Sequence, residues 1–310
     1  GLVLRDPMLL LATRFVVGFA AACMVTTCVW VISAQYQGDR RARVLGISTA
    51  LSHVASLCGN LLGGYLAQRA GWPMAFVLYP AFSAAGLLLT IGSLRQIKPE
   101  GESASAPPVL KRLLPFYLLA VFLFAVMFMG STQFAFLLDE NGIKSPATRS
   151  LIMGTITVVG TLMSFGYGPV QQRLGVLGAF ALGLFSMALS LVAIGAATSA
   201  AASVLGAGLM GVYIGLVVPY VYHAVTERTD PFTRSRAIGL LGAFSFLGGF
   251  LNPLVFATLG RVIGLRNVFL IVGLVMALLA VGTTTTLLRR RTVAGAQGPD
   301  AQERVADSRM

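Results

Sequence analysis

Apolar stretches of about twenty residues, cut by short polar and arginine-bearing breaks, follow one another along this chain. A helix needs about 20 mainly apolar residues to cross a bilayer. On that rule the pattern predicts nine spans, at 8–34, 44–67, 73–94, 115–138, 149–170, 176–196, 199–223, 236–259 and 267–288. Each must be a helix, because backbone polar groups in lipid have to be satisfied within their own segment. The ten-residue alternation of a membrane β-barrel is not found in the sequence. The polar stretch 95–114, with its Pro, Gly, Ser and Glu, reads as a flexible cytoplasmic linker between bundles at 1–94 and 115–288. The polar, Ala/Gly-rich end, 289–310, reads as a disordered tail.

Composition agrees with this all-α membrane reading. The chain is 56% hydrophobic and 11% charged, with a mean hydropathy of +0.81, where soluble domains carry about 25% charged residues. The net charge of +12, from 23 Lys and Arg against 11 Asp and Glu, would suggest nucleic acid in a soluble protein. Here no basic face interleaves with aromatics, so no nucleic-acid partner is expected. The basic residues instead set orientation. Arg40, Arg41, Arg43, Arg95, Lys98, Lys111, Arg112, Arg173, Arg228, Arg234, Arg236 and the run Arg289–Arg291 fall in or at the edge of alternate breaks. The positive-inside rule makes those breaks and the C-terminus cytoplasmic, in a multi-pass protein of the inner (plasma) membrane. Cys23, Cys28 and Cys58 all lie in apolar stretches, as small packing residues rather than a disulfide or metal set.

The second span carries a stripe of small residues: Gly46, Ala55, Gly59, then Asn60, then Gly63 and Gly64. Small residues every third or fourth position allow close contact with a neighbouring helix. The spacing also resembles the signature of proton-coupled exporters of the major facilitator superfamily: Gly, eight residues, Gly, three residues, Gly-Pro, two residues, Gly-Gly. Four of the six positions match; Ala55 replaces a glycine and Asn60 the proline. One span earlier, Leu10, Arg14, Gly18, Ala21 and Ala22 resemble the arginine motif of the superfamily's fourth helix. Gly168-Pro169-Val170-Gln171-Gln172-Arg173-Leu174-Gly175 resembles its cytoplasmic loop motif, with Gln172 in place of the aspartate. An internal repeat points the same way. At an offset of 193 residues, Gly18 falls on Gly211, Gly46 on Gly239, Asn60 on Pro253, Gly71 on Gly264 and Phe76 on Phe269, as expected of two parallel halves.

The resemblance implies a major facilitator fold of two helical bundles, with nine spans present of an expected twelve. The linker follows three spans and precedes six, so an N-terminally truncated record or gene product is expected. It also implies secondary transport by alternating access: proton-coupled efflux of a small amphiphilic or drug-like molecule by a monomer in the lipid bilayer. Two other readings stand beside this one, proton-coupled uptake of a nutrient and a transport-incompetent fragment.

The candidate chemistry is sparse. Arg14 lies inside the first span, where an arginine costs about 2.5–3.5 kcal/mol and so faces a partner or a wet cavity, unless it snorkels to the surface. The resemblance makes it a proton-coupling group. His53, in mid-span, is the second candidate, since histidine titrates near neutral pH; a neutral hydrogen-bonding role is the alternative. Gln133 and Asn252 are candidate groups of a substrate cavity, or else ties between helices; Tyr213 is a further cavity candidate, or else part of an interfacial aromatic belt. No Asp or Glu falls within a predicted span. No phosphate-cradling Gly-rich loop, metal-ligand cluster or nucleophile–base pair occurs, so neither cofactor nor metal nor enzymatic activity is expected.

Overall fold

A computed structural model of the chain describes residues 7–36, 38–93, 109–229 and 231–296, all helices and short turns. The helices are α1 (Pro7–Gln35), α2 (Gly38–Ala70), α3 (Leu78–Ser93), α4 (Val109–Met127), α5 (Phe134–Glu140), α6 (Pro146–Leu174), α7 (Val176–Ala196), α8 (Ala200–Thr226), α9 (Pro231–Asn252), α10 (Thr258–Ile263) and α11 (Leu265–Ala296). Among the described residues, seven helical segments are long and apolar enough to cross a membrane: Trp72–Ile91, Arg112–Glu140, Pro146–Leu174, Val176–Ala196, Ala200–Thr226, Arg236–Ile263 and Leu265–Arg289. α1 and α2 are helical over the other two predicted stretches.

Two of the spans are interrupted. A 3₁₀ turn at Phe128–Gly130 separates α4 from α5, and a π-helical turn at Pro253–Ala257 separates α9 from α10. The second break has a direct cause: Pro253 has no N–H and its ring crowds the preceding turn. Three expected boundaries also differ. α4 begins at Val109 rather than 115; the helix extends through Arg112, whose side chain is exposed. α6 runs through Pro169 to Leu174, so most of the supposed loop motif is helical, and only Gly175, at φ 78°, turns the chain. α11 continues to Ala296, into the stretch read as a tail.

The core lies between α4 and α11. α4 pairs with α9, α6 with α8, α7 with both α8 and α11. Glycine makes the closest of these contacts. A Cβ on Gly211 of α8 would lie 2.7 Å from the Ile156 carbonyl oxygen and 2.9 Å from Gly160 N of α6, so these two helices meet backbone to backbone. Gly248 of α9 approaches the Ala125 amide of α4 as closely, at 2.9 Å from where its Cβ would stand. Hydroxyls add ties: Ser190 donates to the Gly206 carbonyl and Ser186 to that of Leu209, both at 2.7 Å, joining α7 to α8.

The repeat appears in the backbone. Gly71, after α2, and Gly264, after α10, both have φ 84°, with ψ 161° and 141°. That region is open to glycine alone, so each repeat unit turns into its next helix through the same glycine conformation.

Candidate functional site

The end of the small-residue stripe on α2 is where the first helices meet the bundle. Gly64 is buried; a Cβ there would collide with Ser150 Oγ and stand 3.0 Å from the Pro146 carbonyl oxygen. Gly154 of α6 returns the contact, with Leu57 and Leu61 at 3.2 and 3.6 Å from its Cβ position. Ser145 caps α6 by accepting from the Thr148 amide at 3.3 Å, and its hydroxyl donates to Gln68 Oε1 at 3.1 Å. Gly63 approaches Leu78 of α3. The rest of the stripe is different. Ala55 is exposed, Gly59 has open space where a Cβ would go, and Asn60 is half-buried. Gly46 lies on α2, with its surroundings outside the described residues. α6 runs along the face of α2 that carries Leu57, Leu61 and Gly64, so of these stripe residues Gly64 packs on α6 while Ala55 and Gly59 are turned away from it.

Gln133 and Asn252 come together, which their separation in sequence gave no means to foresee. Asn252 is the last residue of α9 before the Pro253 break, and Gln133 follows the 3₁₀ break after α4. Gln133 Nε2 donates to Asn252 Oδ1 at 3.0 Å, and Thr132 Oγ1 lies 2.7 Å from the same oxygen and in contact with Gln133 Oε1. Asn252 Nδ2 donates to the Ala125 carbonyl oxygen at 2.7 Å. Asn252 is fully buried and Gln133 nearly so. Both breaks thus lie at one level, joined by a single polar node.

Tyr213 is placed apart from this node. Its hydroxyl donates to the Leu123 carbonyl oxygen at 2.8 Å and its ring is buried in the core. Tyr117, which sequence reasoning passed over, makes the equivalent tie from α4, donating to the Ala237 carbonyl oxygen at 3.3 Å and stacking on Phe244. Gln133, Tyr213 and Asn252 each hydrogen-bond to another helix, as buried polar groups must to avoid a desolvation cost.

Arg14 lies on α1 and His53 on α2, but their side chains fall outside the described residues. Thr132 and His223 were also missed. Thr132 sits beside Gln133 and only its neighbour drew notice. His223 closes α8 with Glu227 one turn on, Nε2 to Oε1 at 3.2 Å, and an i, i+4 pair at a helix end is common on any surface. Cys23, Cys28 and Cys58 are free and exposed, and Cys28 Sγ lies 3.9 Å from Ser48 Oγ on α2.

At the α5–α6 turn Asp139 meets Lys144 at 3.5 Å and Arg149 at 3.4 Å, while Arg149 also donates to the Lys144 carbonyl oxygen at 2.9 Å. Arg266, in the first turn of α11, donates to Asn141 Oδ1 at 2.9 Å, fastening this turn to α11.

The family model described as Major Facilitator Superfamily matches the chain over residues 2–166 and again over 139–308. The Methylenomycin A resistance protein of Bacillus subtilis (strain 168) is 36% identical over 81 residues, covering 26% of this chain and 17% of that protein. The Efflux pump mokI of Monascus pilosus is 25% identical over 169 residues, 53% of this chain and 31% of the pump. The Efflux pump mlcE of Penicillium citrinum is 28% identical over 88 residues, 28% of this chain and 16% of the pump. The chain thus aligns with less than a third of each relative's length.

Proposed function

This chain belongs to the Major Facilitator Superfamily, and we propose that it acts in export: a secondary active transporter that moves a small amphiphilic or drug-like molecule outward by alternating access. The observation that carries this reading is the α2–α6 seam. The last glycine of the exporter-like stripe, Gly64, packs on Ser150 and the Pro146 carbonyl of α6 and so forms part of the contact between the first helices and the bundle. With Arg40, Arg41 and Arg43 on the cytoplasmic side, this seam lies toward the outer face, where Gln68 and Ser145 tie it. A seam closed outside holds the substrate path open to the cytoplasm, the state from which an exporter loads. The names of the relatives, two efflux pumps and a resistance protein, support the direction.

In this reading α1 and α2 are also spans, making nine of a family complement of twelve, and the proton is the driving ion, with Arg14 and His53 as the groups that sense it. Accumulation of a fluorescent amphiphile in cells making the protein tests both claims. Efflux is expected to stop when a protonophore collapses the gradient; unchanged efflux excludes proton antiport. Arg14→Ala is expected to abolish efflux, and full retention would leave Arg14 a surface anchor.

One observation favours a second reading, proton-coupled uptake. α2 runs unbroken through Asn60, where the exporter signature has proline. Counterflow of a labelled nutrient into vesicles, absent for amphiphiles, would decide for uptake.

A further inference from the structure

The outermost contacts between α2 and α6 fall on the first turns of α6. Ser145 Oγ donates to Gln68 Oε1 at 3.1 Å, and Gly64 lies against Ser150 and the Pro146 carbonyl oxygen. Ser145 is not free to choose this direction. It is the N-cap of α6 and accepts from the Thr148 amide at 3.3 Å, so its hydroxyl points where the turn before it and the helix after it allow. Asp139 holds both sides of that cap. Its carboxylate meets Lys144, the residue before Ser145, and Arg149, one turn beyond it. Arg149 closes the ring by donating to the Lys144 carbonyl oxygen at 2.9 Å. The two cations are placed differently. The Lys144 side chain is 73% exposed, and such a pair contributes little. The Arg149 side chain is 24% exposed, and a cation kept that far from water needs its carboxylate. Other charges on this face are engaged or exposed: Arg266 with Asn141, Arg69 over the Tyr65 ring, and Glu140 in solvent.

We propose that Asp139 is a positioning residue of the outer gate: its carboxylate sets the first turns of α6 so that Ser145 meets Gln68, and so holds the outer face shut. A neutral side chain at 139 leaves Lys144 and Arg149 on either side of Ser145 as like charges without their counter-ion. Arg149 then turns toward water, the turn loosens, and the cap leaves Gln68. The state closed outside, from which an exporter loads, loses ground to the state open outside. The inference deepens the export reading and rests on it for the side of the membrane on which this turn lies.

Spin labels at Arg69→Cys and Thr198→Cys test it, on the full chain in lipid nanodiscs with Cys23, Cys28 and Cys58 replaced by serine. Their separation reports how far the outer end of α2 stands from the α7–α8 turn. Asp139→Asn is expected to raise the ratio of long to short distances about fivefold, and Asp139→Glu to restore the starting ratio. Potassium chloride at about 1 M screens exposed ion pairs. It should move the Asp139 chain the same way by a smaller amount and leave Asp139→Asn where it is. An unchanged ratio in Asp139→Asn, no rescue by Asp139→Glu, or the same response to salt with and without Asp139 each overturn the gate. Should Asp139→Asn fail to fold, Lys144→Gln removes one pair at an exposed position and must raise the ratio about twofold; no rise overturns the gate equally. Efflux of a fluorescent amphiphile, measured in parallel, separates the two readings. Efflux with an unmoved ratio removes the gate and leaves export, whereas a moved ratio without efflux keeps the gate and removes export.

Discussion

α2 and α9 occupy the same place in the two repeat units, and they behave differently. α2 runs without interruption from Gly38 to Ala70, with half-buried Asn60 in its course, whereas α9 stops at Asn252 and the chain passes through a π-helical turn at Pro253. Their surroundings differ as much. Gly211 of α8 is pressed against the α6 backbone, while its repeat partner Gly18 on α1 has nothing within 4 Å of a Cβ position. About a third of the apolar stretch of Leu265–Arg289 is buried, against none in its repeat counterpart Trp72–Ile91. Among the described residues, one repeat unit thus packs against helices on several sides, while the other meets the bundle chiefly along α2. Similar small-residue patterns permit close packing in both; only the presence of a neighbour turns permission into contact.

The largest test of this contrast inserts the break where it is missing. Asn60→Pro removes a helical N–H and places a ring against the Ser56 carbonyl. It is expected to cost about 3 kcal/mol, measured by unfolding in mixed micelles. No loss would mean that α2 already tolerates the bend of its partner. Next comes the glycine pair. Gly211→Leu drives a side chain into the Ile156 carbonyl and should cost about 1–3 kcal/mol, whereas Gly18→Leu should stay within about 0.5 kcal/mol. Equal costs would erase the distinction between the halves. Gly64→Leu at the seam drives a side chain into Ser150 and should cost about 1–3 kcal/mol as well, but its structural reading is sharper. Cysteines at Gln68 and Ser145 should cross-link in the parent chain, and Gly64→Leu should abolish that link. A persisting link would mean that α2 and α6 are held by something other than the seam.

Pro253→Ala restores the missing N–H and would ordinarily favour helix. Here a regular turn draws Asn252 away from Gln133 and Ala125, so a net loss of about 1 kcal/mol is expected. A double-mutant cycle with Asn252→Ala should be strongly non-additive; additive losses would mean that the break does not position Asn252.

The helical elements were legible in sequence because lipid leaves a chain little alternative. Every predicted span is helical, and the offset of 193 residues placed Gly71 on Gly264, which share one backbone conformation. The site was less legible. Gln133 and Asn252 were recognised as polar residues in apolar surroundings, yet not as partners, and Thr132 escaped notice. Nothing local signals that two residues 119 apart will meet. The 3₁₀ break after α4 was missed too, since Phe128 to Gln133 holds no proline and its apolar pattern is uninterrupted up to Gly130.

Sequence by itself determined what the bilayer enforces: which stretches are helical, which loops carry the positive charge, and where glycine must turn the chain. Those properties follow from transfer free energy and backbone sterics, which act over a turn or two of helix. Tertiary structure alone decided which small-residue face became a contact, at Gly64 and Gly211 but not at Gly18 or Gly59. It alone brought the breaks of α4 and α9 to one level. Lipid tails are as apolar as the side chains they touch, so hydrophobicity cannot select one helix face over another. Shape and buried hydrogen bonds make that selection, and both exist only once the helices are side by side.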